Sequence, residues 1–336
     1  MVRRFSLTDI LLVNRLQGQV ACLDLETALL WSPAPLPFAV LECLSLNMSR
    51  TATFVKNSPP TDGAIQGFLQ AWDRSDRLSC DVAFVAPSLD GSAATADVWQ
   101  DLLEHLARIK GESGVQRIFA TIPESGPASE VFRQAGFSAY AGRRVLRLEQ
   151  IPRGLAGAPS SHCRPAGEHD GEALQRLRNS VTPRPVQHAE RTGQVRRDPT
   201  AILPWWKSRE TRECVWTENA AIKAYLRTVV GEEGHWLRIL LEPGDARRAD
   251  AILNDALSLL ASYAPRPVYC AVREYEGGLQ GALNALGFEH AASELLMVKH
   301  TTLRTRVPVG KLSPALEKSV ETAAPISTSN RYLDQA

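Results

Sequence analysis

Three ionisable side chains fall in or beside the strands that the residue pattern places in the middle of the chain's second half: Glu218, His235 and Glu242. A carboxylate or imidazole in such a place can take a proton from an attacking nucleophile, and a carboxylate at a strand end can equally be a solvated surface group. Asp81 is the comparable residue of the first half. A different chemistry is offered by residues 184–212, where Arg184, Arg191, Arg196, Arg197, Lys207, Arg209 and Arg212 outnumber Glu190, Asp198 and Glu210, a local excess of four positive charges. Trp205-Trp206 lies inside this stretch. Basic residues interleaved with aromatics suit RNA, an acidic substrate or a plain surface loop, and RNA binding here would be salt-sensitive.

Other chemistries are excluded. The six cysteines, Cys22, Cys43, Cys80, Cys163, Cys214 and Cys270, form no C-x-x-C pair and have no histidine at metal spacing, so they read as reduced core or surface thiols. His105 falls on the polar side of a helix, and His162, His169 and His188 fall in loops. There is no P-loop, dinucleotide fingerprint or nucleophile elbow. Over 336 residues the chain is 44% hydrophobic and 22% charged with a net charge of +1, which exerts no global pull towards nucleic acid or anionic lipid. MVRRFSLTDILLVNRL has an apolar run too short for a signal segment, and no later run approaches a membrane span, so the expectation is a soluble protein of a reducing cytoplasm.

The elements that must position these groups occur twice. Residues 115–148 and 266–299 each read as a β-branched, apolar run, a short amphipathic helix closed by Gly-Phe, and a further strand. Gly136-Phe137 and Gly287-Phe288 stand 151 residues apart, a period that suits a duplicated domain better than a solenoid. Glycine after the last helical residue takes a positive φ without a Cβ clash and ends the helix there.

Ahead of each copy the order is also shared. The first half reads as a helix within residues 6–30, a loop at SPAPLP (32–37), a hairpin over 64–72 and 80–87, and a helix with Val98, Leu102, Leu106 and Ile109 on one face. The second half reads as a helix around Glu172–Val181, strands near 214–218, 220–230 and 235–243, and a helix aligning Ile252, Ala256, Leu260 and Tyr263. The expected fold is α/β with mixed layers, divided into a domain over 1–149, a linker rich in Pro, Gly and Ser over 150–164, and a domain over 165–300. A tail over 301–336, with Pro308, Pro314 and Pro325 and little apolar content, is expected to be disordered.

This layout resembles the GNAT N-acetyltransferase superfamily, as a tandem of two such domains over roughly residues 3–300. In that superfamily a hairpin ends in V-x-P before a phosphate-binding loop and a long helix. Val85-Ala86-Pro87 and Leu241-Glu242-Pro243 stand at this position. A short helix follows with the pattern N-x-x-A-x-x-F-Y-x-x-x-G-F, matched by Ser125, Ala128, Val131-Phe132 and Gly136-Phe137.

The resemblance implies transfer of an acyl group from acetyl-CoA, or another acyl-CoA, to an amine acceptor by direct attack. Backbone amides at a helix start would hold the pyrophosphate. The family loop, Q/R-x-x-G-x-G/A, is replaced by Asp90, Gly91, Ser92, Ala93 and Thr95 in the first half. In the second it is replaced by Gly244 and Ala246–Ala251, with Arg247 and Arg248 between the small residues Ala246, Ala249 and Ala251. The cofactor contacts it implies are Leu240, Leu241, Gly244, Arg247, Arg248, Ala249 and Ala251, with Val85, Gly91, Ser92 and Ser125 as first-half equivalents. Arg247 and Arg248 can equally form a solvated first helical turn. Glu218 and Glu242 stand as candidate bases, and residues 184–212 would overlie the acceptor site. The Tyr that protonates the departing thiolate in the family is replaced by Phe132 and Leu283. A non-catalytic scaffold that keeps the fold is the alternative reading, favoured by Asp90, Phe132 and Leu283.

Overall fold

The structure, a computed structural model, describes residues 1–32, 34–44, 50–57, 65–152, 154, 160–190, 210–244 and 246–301. The first half contributes strands β1 Val2–Arg4, β2 Ala21–Cys22, β3 Thr51–Lys56, β4 Gly67–Asp73, β5 Ser79–Ala86, β6 Arg117–Pro123 and β7 Ser138–Leu148. The second contributes β8 Cys163–Pro165, β9 Glu210–Glu218, β10 Ala221–Val230, β11 His235–Leu241, β12 Val268–Arg273 and β13 Glu289–His300. The helices are α1 Ile10–Leu16, α2 Leu25–Leu30, α3 Pro35–Leu44, α4 Ala93–Glu112, α5 Ala128–Gln134, α6 Gly171–Val181, α7 Arg184–Glu190, α8 Ala246–Leu260 and α9 Gly277–Ala285.

All thirteen strands found among the described residues join one sheet, in the order β1-β3-β4-β5-β6-β13-β7-β12-β11-β10-β9-β8 with β2 off this path. The halves exchange strands at its centre. β13, the last strand of the second half, inserts between β6 and β7 of the first and pairs antiparallel with both. β7 in turn pairs antiparallel with β12. Each half therefore needs the other to complete its sheet, because an unpaired strand edge leaves backbone donors and acceptors unsatisfied.

Two parallel strand pairs break the antiparallel pattern. β5 and β6 pair only over Ser79–Asp81 with Arg117–Phe119. β11 and β12 pair only over His235–Arg238 with Val268–Ala271. Each pair then parts, leaving a splay in each half.

One face of the sheet is covered by α4 and α5 in the first half and by α8 and α9 in the second. Val98, Leu102 and Leu106 of α4 are buried against Phe54 and Leu69, as their helical spacing requires. Ile252, Ala256 and Leu260 of α8 are buried against Leu226, Leu237 and Ile239. Gly136 and Gly287 follow α5 and α9 with φ of 83° and 89°, the left-handed conformation expected from the sequence.

On the opposite face the halves trade helices. Leu30 at the end of α2 packs with Trp31 against Val145, Val229, Trp236 and Ala271 of the central and second-half strands. The Leu30 carbonyl accepts the amides of Glu232 and Glu233 at 2.9 and 3.1 Å, and Glu26 forms a two-pronged ion pair with Arg227. In the other direction, Ala189 of α7 packs on Phe119 and Val298.

The helix expected within residues 6–30 is α1, which runs on through a 3-10 turn at Gln17–Gln19; residues 21–22 then form β2, and a second helix, α2, follows Asp24, whose carboxylate accepts the Thr27 hydroxyl at 2.7 Å. The loop expected over 32–37 gives way at Pro35 to α3, whose first turn holds both Pro35 and Pro37. Proline is tolerated there because first-turn amides have no intrahelical acceptor. α4 starts at Ala93, five residues before the expected Val98, because the Ser92 hydroxyl caps it by accepting the Thr95 amide.

Candidate functional site

The two splays differ in what fills them. In the first, β2 occupies the edge of β5 that β6 abandons: Ala21 lies opposite Val85 and Cys22 opposite Phe84. The Leu23 amide donates to the Ala83 carbonyl at 2.8 Å, and the Ser88 amide to the Gln19 carbonyl at 2.6 Å. The backbone of Val85 is thus bonded within the chain and has no edge left for a ligand. The loop beyond is also occupied. The Asp90 carboxylate accepts the Ser92 amide at 2.9 Å and the Thr95 hydroxyl at 2.7 Å. These hydrogen bonds, Thr95 first and then Ser92, hold its pKa down to about 2. A fixed negative charge sits where an anion would bind, so Gly91 (φ 85°) and Ser92 turn the chain and cap α4. Ser125 is exposed in the loop before α5.

No strand enters the second splay among the described residues. Its apex is crossed by the Arg238 guanidinium, which donates to the carbonyls of Ile239 and Ala271 at 3.1 and 3.0 Å and pairs with Glu276 at 2.6 Å. Burial works against the Arg238 charge, but Glu276 outweighs it and the pKa is raised. Beyond the apex, Leu240 and Leu241 continue β11 towards the start of α8. Gly244 is exposed ahead of that start, Ala249 faces the core and Ala251 is exposed. The first-turn amides of α8 have no intrahelical acceptor, which suits an anion.

Arg248 pairs with Glu218 at 2.9 Å. The side chain of Arg247 lies outside the described residues. Glu242 pairs with Lys223 at 2.7 Å. Both candidate bases are therefore held in ion pairs. His235 is buried and donates from Nε2 to the Ala264 carbonyl at 3.0 Å, and burial lowers its pKa. Phe132 and Leu283, at the positions of the family's Tyr, are both fully buried core residues.

The second splay opens into a cavity of about 270 Å³ on the face that carries α6 and α7, and Arg238 and Leu240 form part of its wall. Leu240 is the residue that the cavity shares with the sequence-predicted site; Glu218, Glu242, Gly244 and Arg248 do not line it. The central strands place charged groups there instead. Asp81, at the apex of the first splay, accepts Arg74 through both oxygens at 2.8 and 2.7 Å, and Arg74 lies 3.8 Å from the Phe119 ring centre. Arg143 of β7 donates to Glu294 of β13 at 2.8 Å. Arg273 pairs with Glu190 at 2.7 Å, and Glu190 also accepts the Tyr140 hydroxyl at 3.0 Å.

Burial and then Glu190 push the Tyr140 phenol above the ordinary tyrosine range. Tyr275 is raised as well, chiefly by burial, and its hydroxyl accepts Arg273 at 3.2 Å. Burial opposes the charge of Arg273, but Glu190 and the two phenols keep it firmly protonated.

Sequence reasoning missed Arg143, Arg238, Arg273 and Tyr140. The signal was present: an arginine inside an apolar strand, as in HWLRILL and VYCAVR, is rarely buried unless paired. Of the basic segment 184–212, residues 184–190 form α7 and 210–212 open β9. Arg191, Arg196, Arg197, Trp205-Trp206, Lys207 and Arg209 lie outside the described residues.

No protein-family profile matches the chain, and no curated protein does. Solved structures do. A GCN5-related N-acetyltransferase from Sphaerobacter thermophilus is 14% identical with a TM-score of 0.54, the match covering 90% of this chain and 96% of that one. A tandem GNAT protein from the clavulanic acid biosynthesis pathway is also 14% identical with a TM-score of 0.54, covering 90% of this chain and 99% of that one. The fold is GNAT-like, a mixed α/β arrangement of the kind seen in these acetyltransferases. Among the described residues no helix is long and apolar enough to cross a membrane.

Proposed function

We propose that the chain is an acyl-CoA-dependent N-acyltransferase of two GNAT-like domains, residues 1–149 and 165–300, in which the second holds the acyl donor. The observation that carries this reading is the difference between the splays. A donor of this kind needs a free strand edge beside a helix start. In the first half β2 and Asp90 occupy both, so its residues do not fit the donor. In the second half no strand pairs with the edge at Leu240 and Leu241 among the described residues, and Leu240 forms part of the wall of a cavity with ionisable groups. Leu240 and Leu241 would hold the pantetheine arm, and Gly244 with the first turn of α8, flanked by Arg247 and Arg248, the pyrophosphate.

The acceptor amine then lies in the cavity. Glu190 is its base: Asp81 has both oxygens engaged by Arg74, whereas Glu190 is held at single points by Arg273 and Tyr140. The amine attacks the thioester carbonyl, Glu190 takes the ammonium proton, and the tetrahedral intermediate collapses to amide and thiolate. Tyr275, whose oxygen accepts from Arg273, has no acceptor for its own O–H among the described residues and would protonate the thiolate.

Release of free thiol from acetyl-CoA in the presence of an amine panel tests this. The expected result is amine-dependent turnover, cut at least ~100-fold by Glu190→Gln. Absence of turnover and of acetyl-CoA binding in the folded protein would favour the scaffold reading instead.

A further inference from the structure

The cavity has a charge balance that bears on what it holds. Five arginines line it: Arg74, Arg143, Arg178, Arg238 and Arg273. Four are matched one to one by carboxylates, in the pairs Arg74–Asp81, Arg143–Glu294, Arg238–Glu276 and Arg273–Glu190. Arg178 is the exception. It stands in the last turn of α6, half-buried, and has no carboxylate partner among the described residues. Its guanidinium lies 5.8 Å from the ring centre of Tyr225, another lining residue. Arg178 is therefore the lining guanidinium left to meet an anion from outside the chain.

One unmatched guanidinium calls for a monoanion. A phosphate dianion would bring a second negative charge close to Asp81 and Glu190 with no arginine left to meet it. A carboxylate matches both the charge and the planar fork of a guanidinium, which binds two oxygens side by side. The remaining wall is mainly apolar or aromatic, with Phe119, Leu240, Leu296 and Tyr225, and adds the hydroxyls of Thr121 and Thr182. A volume of about 270 Å³ lies at the lower end of small-molecule sites, which run from ~300 Å³ upwards, and suits a ligand the size of an amino acid.

We propose that the cavity binds a small carboxylated amine, of the amino-acid class, through a salt bridge from its carboxylate to Arg178. The amine half of this assignment rests on the acyl-transfer reading above; the carboxylate half rests on the cavity alone. Asp81 and Glu190 are the carboxylates that line the cavity and are available to an ammonium group. The acceptor is then oriented by its two ends, carboxylate on α6 and nitrogen towards Glu190.

The test is calorimetric titration of the full chain, without acyl-CoA, with the common L-amino acids and their carboxamides at up to about 10 mM, the range of weak specific binding. At least one amino acid is expected to bind, with its carboxamide at least about tenfold weaker. Arg178→Ala should lose the same factor while keeping the wild-type melting temperature, and Arg178→Lys should recover only part of it. Binding of carboxamide and acid with equal affinity, undiminished binding by Arg178→Ala, or no heat from any amino acid would overturn the proposal. Should Arg178→Ala fail to fold, the acid-against-carboxamide comparison on the wild-type chain decides the matter alone. Amino-acid binding without acetyl-CoA turnover would leave this inference standing and remove the acyl-transfer reading.

Discussion

The two splays begin alike and end differently. Each opens where a short parallel pairing stops, at Asp81 in the first half and Arg238 in the second, and each apex holds a charged pair. Beyond the apex the first half spends its free edge on β2, and its loop on Asp90. The second leaves the edge unpaired among the described residues, and both apices border the cavity. A splay is thus present in both halves, and on the reading proposed above a two-residue strand and one carboxylate are enough to deny the first an acyl donor. What distinguishes a site from a scaffold here is which hydrogen-bonding groups remain unspent.

Four substitutions or conditions sharpen this contrast. The largest effect is expected at the second apex. Glu276 is buried, so Glu276→Ala leaves Arg238 across the splay without its counter-charge and should cost about 3–5 kcal/mol in chemical denaturation. A loss under ~1 kcal/mol would mean that the apex is solvated and that the splays differ less than argued.

Next is the helix that the first half lends to the second. A Cβ on Gly231 would stand 2.6 Å from the Leu30 Cβ and 2.9 Å from its carbonyl oxygen. Gly231→Ala should destabilise by ~1–3 kcal/mol, read as a lower melting temperature.

Third, acetyl-CoA affinity should fall about tenfold in Arg248→Ala, an effect of ~1.4 kcal/mol, and stay within twofold in Asp90→Ala. The reverse pattern would exchange the roles of the halves.

The smallest effect concerns His235, buried beside the second parallel pair with a lowered pKa. The unfolded state then binds a proton more readily than the folded state. Its contribution to stability is complete above the ordinary histidine pKa of ~6.5 and declines as the pH falls below it. The melting temperature should drop between about pH 7 and pH 5.5, and His235→Asn should flatten that slope.

Much of the scaffold was legible because it rests on local signals. The Gly-Phe pairs, the apolar stripes of α4 and α8 and the apolar runs of β4 and β5 each depend on neighbours in sequence. β2 and α2 were not legible, since residues 21–30 are ordered by contacts with Val85 and with the turn at 231–234, far away in the chain. The interdigitated centre, with β13 between β6 and β7, is likewise a matter of long-range pairing.

The candidate site was legible only in part. The sequence pointed to Leu240 and to the start of α8, but the ion pairs of Glu218 and Glu242 and the charged wall of the cavity depend on which strands become neighbours. One further repeat was present and unread: Arg3 and Asp9 form the same two-pronged pair as Arg164 and Asp170, 161 residues later, each aspartate also accepting a backbone amide at the start of its half.

The most direct test of the central claim, that the second splay and not the first receives the acyl donor, is hydrogen exchange with and without acetyl-CoA. The account predicts slowed exchange over residues 239–251 and unchanged exchange over 19–23 and 83–95. Protection confined to 19–23 and 83–95, or none in either region at saturating acetyl-CoA, would contradict it.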